Sequence, residues 1–118
     1  MPLQFELNST LEQRTTEAAR ILKKYANRIP VIVERRLGDT SIPDIDRHKF
    51  LVPDDLTVGQ FIYTIRKRIV LPPDKSLFFF VNNMIPATSD LMSQLYQQHC
   101  SPCGFLMMVY TGESTFGT

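Results

Sequence analysis

The residues with the plainest chemical potential stand together at His99-Cys100-Ser101-Pro102-Cys103. Two thiols beside an imidazole could hold a metal or exchange a disulfide. A zinc site needs about four ligands, and the only other histidine is His48. A redox pair of this spacing normally opens a helix, where the dipole lowers the thiol pKa. Here the flanking pattern puts the pair at a helix end, where the dipole opposes a thiolate. A thiol oxidoreductase is therefore a minor rival reading, and no metal is expected. We find no Ser-His-Asp arrangement, no phosphate-binding glycine loop and no carboxylate pair in a catalytic setting. No catalytic residue is assigned, the chain is read as not an enzyme, and no cofactor is expected.

Thirteen lysines and arginines against twelve acids leave a net charge of +1, unevenly laid out. Basic residues exceed acids in 1–36 and 61–75, and acids exceed bases in 37–60. A basic face can meet nucleic acid, anionic lipid or an acidic peptide. Nucleic acid is not expected, because no arginine–aromatic interleaving or RNA-binding signature accompanies the charge. With 118 residues, 43% hydrophobic and 21% charged, the chain reads as one globular domain able to stand without disulfides or a structural metal. No apolar run approaches the ~20 residues of a membrane span. Residues 1–10 carry no lysine or arginine, so no secretory signal is read there. A monomer of the cytoplasm is expected.

These residues must be placed by secondary structure. Ser9 and Glu12 have capping-box spacing, and Leu11, Thr15, Ala18, Leu22 and Tyr25 recur at helical spacing. A helix is expected from about 11 to 25 with that stripe inward and Glu17, Arg20, Ile21 and Lys24 on the other side. A shorter helical turn precedes it within Leu3 to Asn8. Ile29 to Arg35 reads as a strand apolar on both sides, with Ile29, Val31 and Val33 one way and Pro30, Ile32 and Glu34 the other. Such a strand must be covered twice or leave a sticky groove. Lys49 to Val52 is a second strand, with Lys49 and Leu51 on one face and Phe50 and Val52 on the other. Thr57 and Gln60 open a helix from Val58 to Ile69, whose core stripe is Val58, Ile62, Ile65 and Ile69, with Phe61, Thr64 and Arg68 beside it. Ser76 to Val81 is a strand, Asn82-Asn83 a turn, and Thr88 or Ser89 caps a short helix reaching about His99. Phe105 to Tyr110, apolar nearly throughout, is expected to be central in its sheet. Leaving the first helix aside, this is the element order of a β-grasp sheet, with the final strand beside the first and the central helix across one face.

The segment Arg28-Ile29-Pro30-Val31-Ile32 resembles the autophagy-related ubiquitin-like modifier family, which includes the GABA-receptor-associated and microtubule-associated light-chain proteins. So do Ile42-Pro43-Asp44-Ile45-Asp46, the run from Phe50 to Phe61, Ile65-Arg66-Lys67-Arg68-Ile69, Leu71-Pro72-Pro73, Phe80-Val81-Asn82-Asn83 and the ending from Gly112 to Gly117. The similarity runs from about Leu11 onward. It implies an α+β fold: a ubiquitin-like β-grasp with a four-stranded mixed sheet and two extra N-terminal helices. The implied organisation is a helical extension over 1–27, a ubiquitin-like core over 28–111 and a flexible conjugation tail over 112–118.

The resemblance also implies a life cycle. A cysteine protease trims the tail to Gly117, with Thr118 alone to be removed. Ubiquitin-like activating and conjugating enzymes pass that glycine to phosphatidylethanolamine. The lipidated protein on autophagosomal membrane then recruits receptors carrying acidic-aromatic-x-x-aliphatic motifs. A partner strand is expected to add to the edge near Lys49 to Val52. By resemblance, a first pocket for the aromatic residue uses Glu17, Ile21, Pro30, Ile32, Lys49, Leu51 and Phe105, with Arg28 as a basic position beside it. A second pocket for the aliphatic residue uses Phe50, Val52, Pro53, Leu56, Phe61 and Thr64, with Arg68 beside it. Thr64 stands where the family usually has an aliphatic residue, which makes one wall more polar. An unlipidated trafficking adaptor of the same fold is the alternative reading.

Overall fold

A computed structural model describes residues 3–112. The elements run α1 (Gln4–Leu7), α2 (Leu11–Lys24), β1 (Arg28–Arg35), β2 (Lys49–Pro53), α3 (Val58–Arg68), β3 (Phe78–Phe80), α4 (Met92–His99) and β4 (Leu106–Thr111). The four strands form one sheet in the order β2-β1-β4-β3. β1 pairs antiparallel with β2 and parallel with β4, and β3 pairs antiparallel with β4. The expected mixed sheet, the last strand beside the first and the central place of β4 are all present.

β1 is covered on both faces, as its two apolar sides require. Ile29, Val31 and Val33 join Val58, Phe61 and Ile65 of α3 in the main core. Ile32 joins Leu3, Ala18, Cys103 and Phe105 in a second cluster on the opposite face. Glu34 shares that opposite side, only 6% exposed. Its carboxylate accepts from Gln4 N (2.7 Å) and Phe5 N (2.8 Å), so the buried acid is satisfied by the otherwise unbonded amides that open α1. This seats α1 on the sheet.

Two helix starts differ from expectation. α2 is capped one residue later than Ser9 and Glu12 suggest: Thr10 Oγ1 accepts from Gln13 N (3.0 Å), and Gln13 Oε1 accepts from Thr10 N (2.8 Å). Its inward side is also rotated. Ala18 is buried with Arg14, Glu17 and Ile21 half-buried, whereas Leu11 is 58% exposed and Leu22 and Tyr25 also face water. The helix packs where Ala18 lets its backbone approach Gly104, and that outranks the larger apolar stripe. α4 begins at Met92 rather than after Thr88 or Ser89, because the preceding segment has another task. Asp90 O and Thr88 O accept from Val58 N (2.8 Å) and Gly59 N (3.0 Å), the first amides of α3. The third strand is shorter than expected. Asn82 and Asn83 both take positive φ in the turn after it.

The loop between β1 and β2 is fastened to the end of β4. Asp39 accepts hydrogen bonds from Ser41, Thr111 and Gly112. Burial pushes its carboxyl up, but these donors outweigh burial and hold it well below its ordinary value of 3.8. A depressed carboxyl stabilises the fold fully above its ordinary value and loses that contribution as pH falls through its lower folded value. Urea midpoints of the wild type should therefore fall more steeply below about pH 4 than those of Asp39→Ala. Parallel acid limbs for the two proteins would contradict this account.

Candidate functional site

β2 forms one edge of the sheet. The bond from Val33 N to His48 O (2.9 Å) fixes which residues of β2 turn inward. With Ile32 opposite Lys49 and Pro30 opposite Leu51, the antiparallel alternation turns the N–H and C=O of Lys49 and Leu51 toward the open side. Arginine side chains reach these carbonyls: Arg47 Nε donates to Lys49 O (2.9 Å), and Arg28 Nη1 lies 3.5 Å from Leu51 O.

On the outer face, the same register sets Pro30 beside Leu51 and Ile32 beside Lys49. α2 runs over this face. Lys49 Nζ pairs with the Glu17 carboxylate at 2.8 and 3.0 Å, linking helix and edge strand. Ile21 and Leu51 are half-buried, Pro30 is buried and Arg28 is exposed. Ile32 and Phe105 are 0% and 1% exposed and form a floor rather than walls. The structure adds a residue that sequence reasoning missed. The Phe5 ring stands edge-on to Phe105 with centroids 5.0 Å apart, and Lys49 Nζ lies 5.3 Å above it. A side chain of the chain itself thus lies over the floor of the expected aromatic pocket. Its only sequence signal was an aromatic in a short N-terminal helix, and its placement depends on Glu34 far along the chain.

On the core-facing side of β2, Phe50 stands edge-on to Phe61 with centroids 5.8 Å apart. Val52 and Phe61 are buried, Phe50, Pro53 and Leu56 are half-buried, and Thr64 and Arg68 are exposed. Thr64 Oγ1 donates back to Gln60 O (3.0 Å), which turns its polar atom toward its own helix. Arg68 is engaged by Asp46 (2.9 Å), with Arg47 and Arg68 both set over the Phe50 ring. Such an exposed ion pair contributes about 0–1 kcal/mol and can be exchanged for a better partner at little cost. Pro53 apart, which has the strand parity of Lys49 and Leu51, the two expected residue sets therefore fall on opposite faces of one edge strand.

Gly117 lies outside the described residues. Cys100 caps the C-terminal end of α4 and is exposed, while Cys103 is buried in the outer-face cluster with Sγ 3.0 Å from Ser101 Oγ. The helix-end placement matches the sequence reading, and Cys103 acts in packing. Among the described residues, no group of three or more His, Cys, Asp or Glu could hold a metal, and no helix is long and apolar enough to cross a membrane.

The family model described as "Autophagy protein Atg8 ubiquitin like" matches residues 13–117. Autophagy-related protein 8d of Arabidopsis thaliana is 56% identical over 113 residues, covering 96% of this chain and 93% of the relative. Autophagy-related protein 8 of Vanderwaltozyma polyspora is 52% identical over 118 residues, covering 100% and 99%. The crystal structure of Trypanosoma brucei ATG8 superposes with a TM-score of 0.88 at 38% identity, covering 99% of this chain and 100% of that one.

Proposed function

Because this chain belongs to the Atg8 family and is a ubiquitin-like modifier of autophagy, we propose that it is conjugated through Gly117 and recruits receptors along its β2 edge. A cysteine protease exposes Gly117. Activating and conjugating enzymes transfer its carboxyl to phosphatidylethanolamine, and the product sits on autophagosomal membrane. The unconjugated chain is cytoplasmic. Catalysis belongs to those enzymes, and this chain contributes presentation and binding.

The observation that carries the receptor half is the open edge of β2 between two apolar surfaces. An added strand would bond the outward groups of Lys49 and Leu51. Its aromatic residue would rest against Ile21, Leu51 and the Ile32–Phe105 floor, and its aliphatic residue against Phe50 and Leu56. Arg28 and Arg68 would face its acids. Each buried anchor contributes roughly 1.5–3 kcal/mol. Association offsets much of that, so dissociation constants of order micromolar are expected. Calorimetry with an acidic-aromatic-x-x-aliphatic peptide tests this half, and a Leu51→Arg chain that binds the peptide as well as wild type would refute it. The conjugation half is tested by seeking a phospholipid-linked form of N-terminally tagged protein in starved cells.

Phe5 gives a sharper result. An edge-on aromatic pair contributes about 0.5–1.5 kcal/mol. If the incoming aromatic must displace Phe5 from Phe105, Phe5→Ala should tighten peptide binding by roughly two- to tenfold. Weaker binding would mean that Phe5 is a wall of the pocket and not its resident.

A further inference from the structure

The end of β4 is held by a residue outside the sheet. The parallel ladder between β1 and β4 stops at Arg35 opposite Tyr110. Thr111 still pairs with Phe78 of β3 on one side, and on the side where β1 has ended Asp39 takes up its hydroxyl and the next amide. Its Oδ2 accepts from Thr111 Oγ1 (2.6 Å) and Gly112 N (3.0 Å), and its Oδ1 accepts from Ser41 N (2.8 Å) and Ser41 Oγ (2.6 Å). Asp39 is 8% exposed. The fit is close enough that a Cβ on Gly112 would stand 2.6 Å from Ser41 Oγ and 3.2 Å from Ile42 Cγ2. The loop that carries Asp39 is itself anchored, because Tyr110 Oη donates to Pro43 O (2.9 Å) and Arg35 Nη1 to Ile42 O (2.9 Å).

We propose that Asp39 is a positioning residue for the C-terminal tail: by gripping Thr111 and Gly112 it fixes where the tail leaves the body, and so where Gly117 is presented to the enzymes that take it. This rests on the reading of Gly117 as the conjugated residue. Gly117 follows Gly112 by five residues, a reach of at most about 18 Å. An enzyme that seats Gly117 must therefore dock on the side of the molecule that carries the Asp39 loop. A carboxylate is required chemically. Ser41 N and Gly112 N can only donate, and they address different oxygens. An asparagine offers one oxygen and one NH2 group, so one of the two amides would face a donor.

The test uses the full chain, as wild type and Asp39→Asn. Amide exchange at Gly112 should accelerate by at least about tenfold in the variant, with Leu106 and Met108 unchanged. For cleavage after Gly117 by the purified tail-trimming cysteine protease, KM should rise roughly three- to tenfold with kcat held within about twofold, because a loosened tail must be ordered before it is seated. Thr111→Val keeps the volume and removes one donor. It should shift both readouts the same way by less, and it carries the comparison if Asp39→Asn does not fold. Faster exchange with KM unchanged or lowered would overturn the proposal, showing Asp39 to be structural only. Wild type left uncleaved after Gly117 would overturn the conjugation reading, and this proposal with it.

Discussion

Replacing Gly117 with alanine is expected to lower the phosphatidylethanolamine-linked form by at least about a hundredfold, the scale at which small misplacements of a reacting group act. In the proposed life cycle, cleavage after this residue and adenylation of its carboxyl would both require the tail to thread narrow clefts. A residue without Cβ permits that close backbone approach and leaves φ unrestricted. Gly117 lies outside the described residues, and stability and peptide binding are expected to stay at wild-type values. The comparison is therefore clean: an N-terminally tagged Gly117→Ala chain, expressed in starved cells and resolved by mass, should show no lipid-linked species. Normal membrane conjugation of that variant would remove Gly117 from the mechanism.

Gly104→Ala should cost roughly 2–5 kcal/mol, combining a left-handed backbone position with overpacking. Gly104 has φ +97, and a Cβ there would lie 2.9 Å from the Ala18 Cβ. Ala18 is 1% exposed and stands on α2 between Glu17 and Ile21. Relief must come from moving α2 off the sheet, which would open the first pocket as well. A melting-temperature drop of roughly 8–20 °C is expected for a chain of this size, together with weaker peptide binding. Gly38→Ala is the internal control. Gly38 has a similar φ of +87 but nothing within 4 Å of its Cβ position, so it isolates the backbone strain, about 1–2 kcal/mol. Equal losses in the two variants would show that the contact with Ala18 is unimportant.

The elements most legible in the sequence were those whose signals are local. The two-sided apolar run of β1, the Thr57–Gln60 cap of α3 and the paired asparagines after β3 each state their structure within a few residues. The β-grasp order followed from those elements alone. What escaped depends on distant partners. The inward side of α2 is set by the Gly104 backbone, which no periodicity within the helix reports. The start of α4 is delayed because Thr88 and Asp90 spend their carbonyls on α3. In the candidate site, the alternation of Lys49 with Phe50 and of Leu51 with Val52 was readable as two faces, whereas Phe5 over Phe105 and the bonds from Thr111 and Gly112 to Asp39 join residues dozens of positions apart.

The arginines on β2 have a consequence for the chain's behaviour at high concentration. An uncovered sheet margin is a template on which identical molecules can stack into fibrils. Here that margin is short, and Arg28 and Arg47 meet its outward carbonyls with fixed positive charge. Two copies approaching margin to margin would bring like charges together, while a ligand rich in carboxylates would find the same charges attractive. Crowding such molecules on one surface therefore does not favour their self-association through this strand.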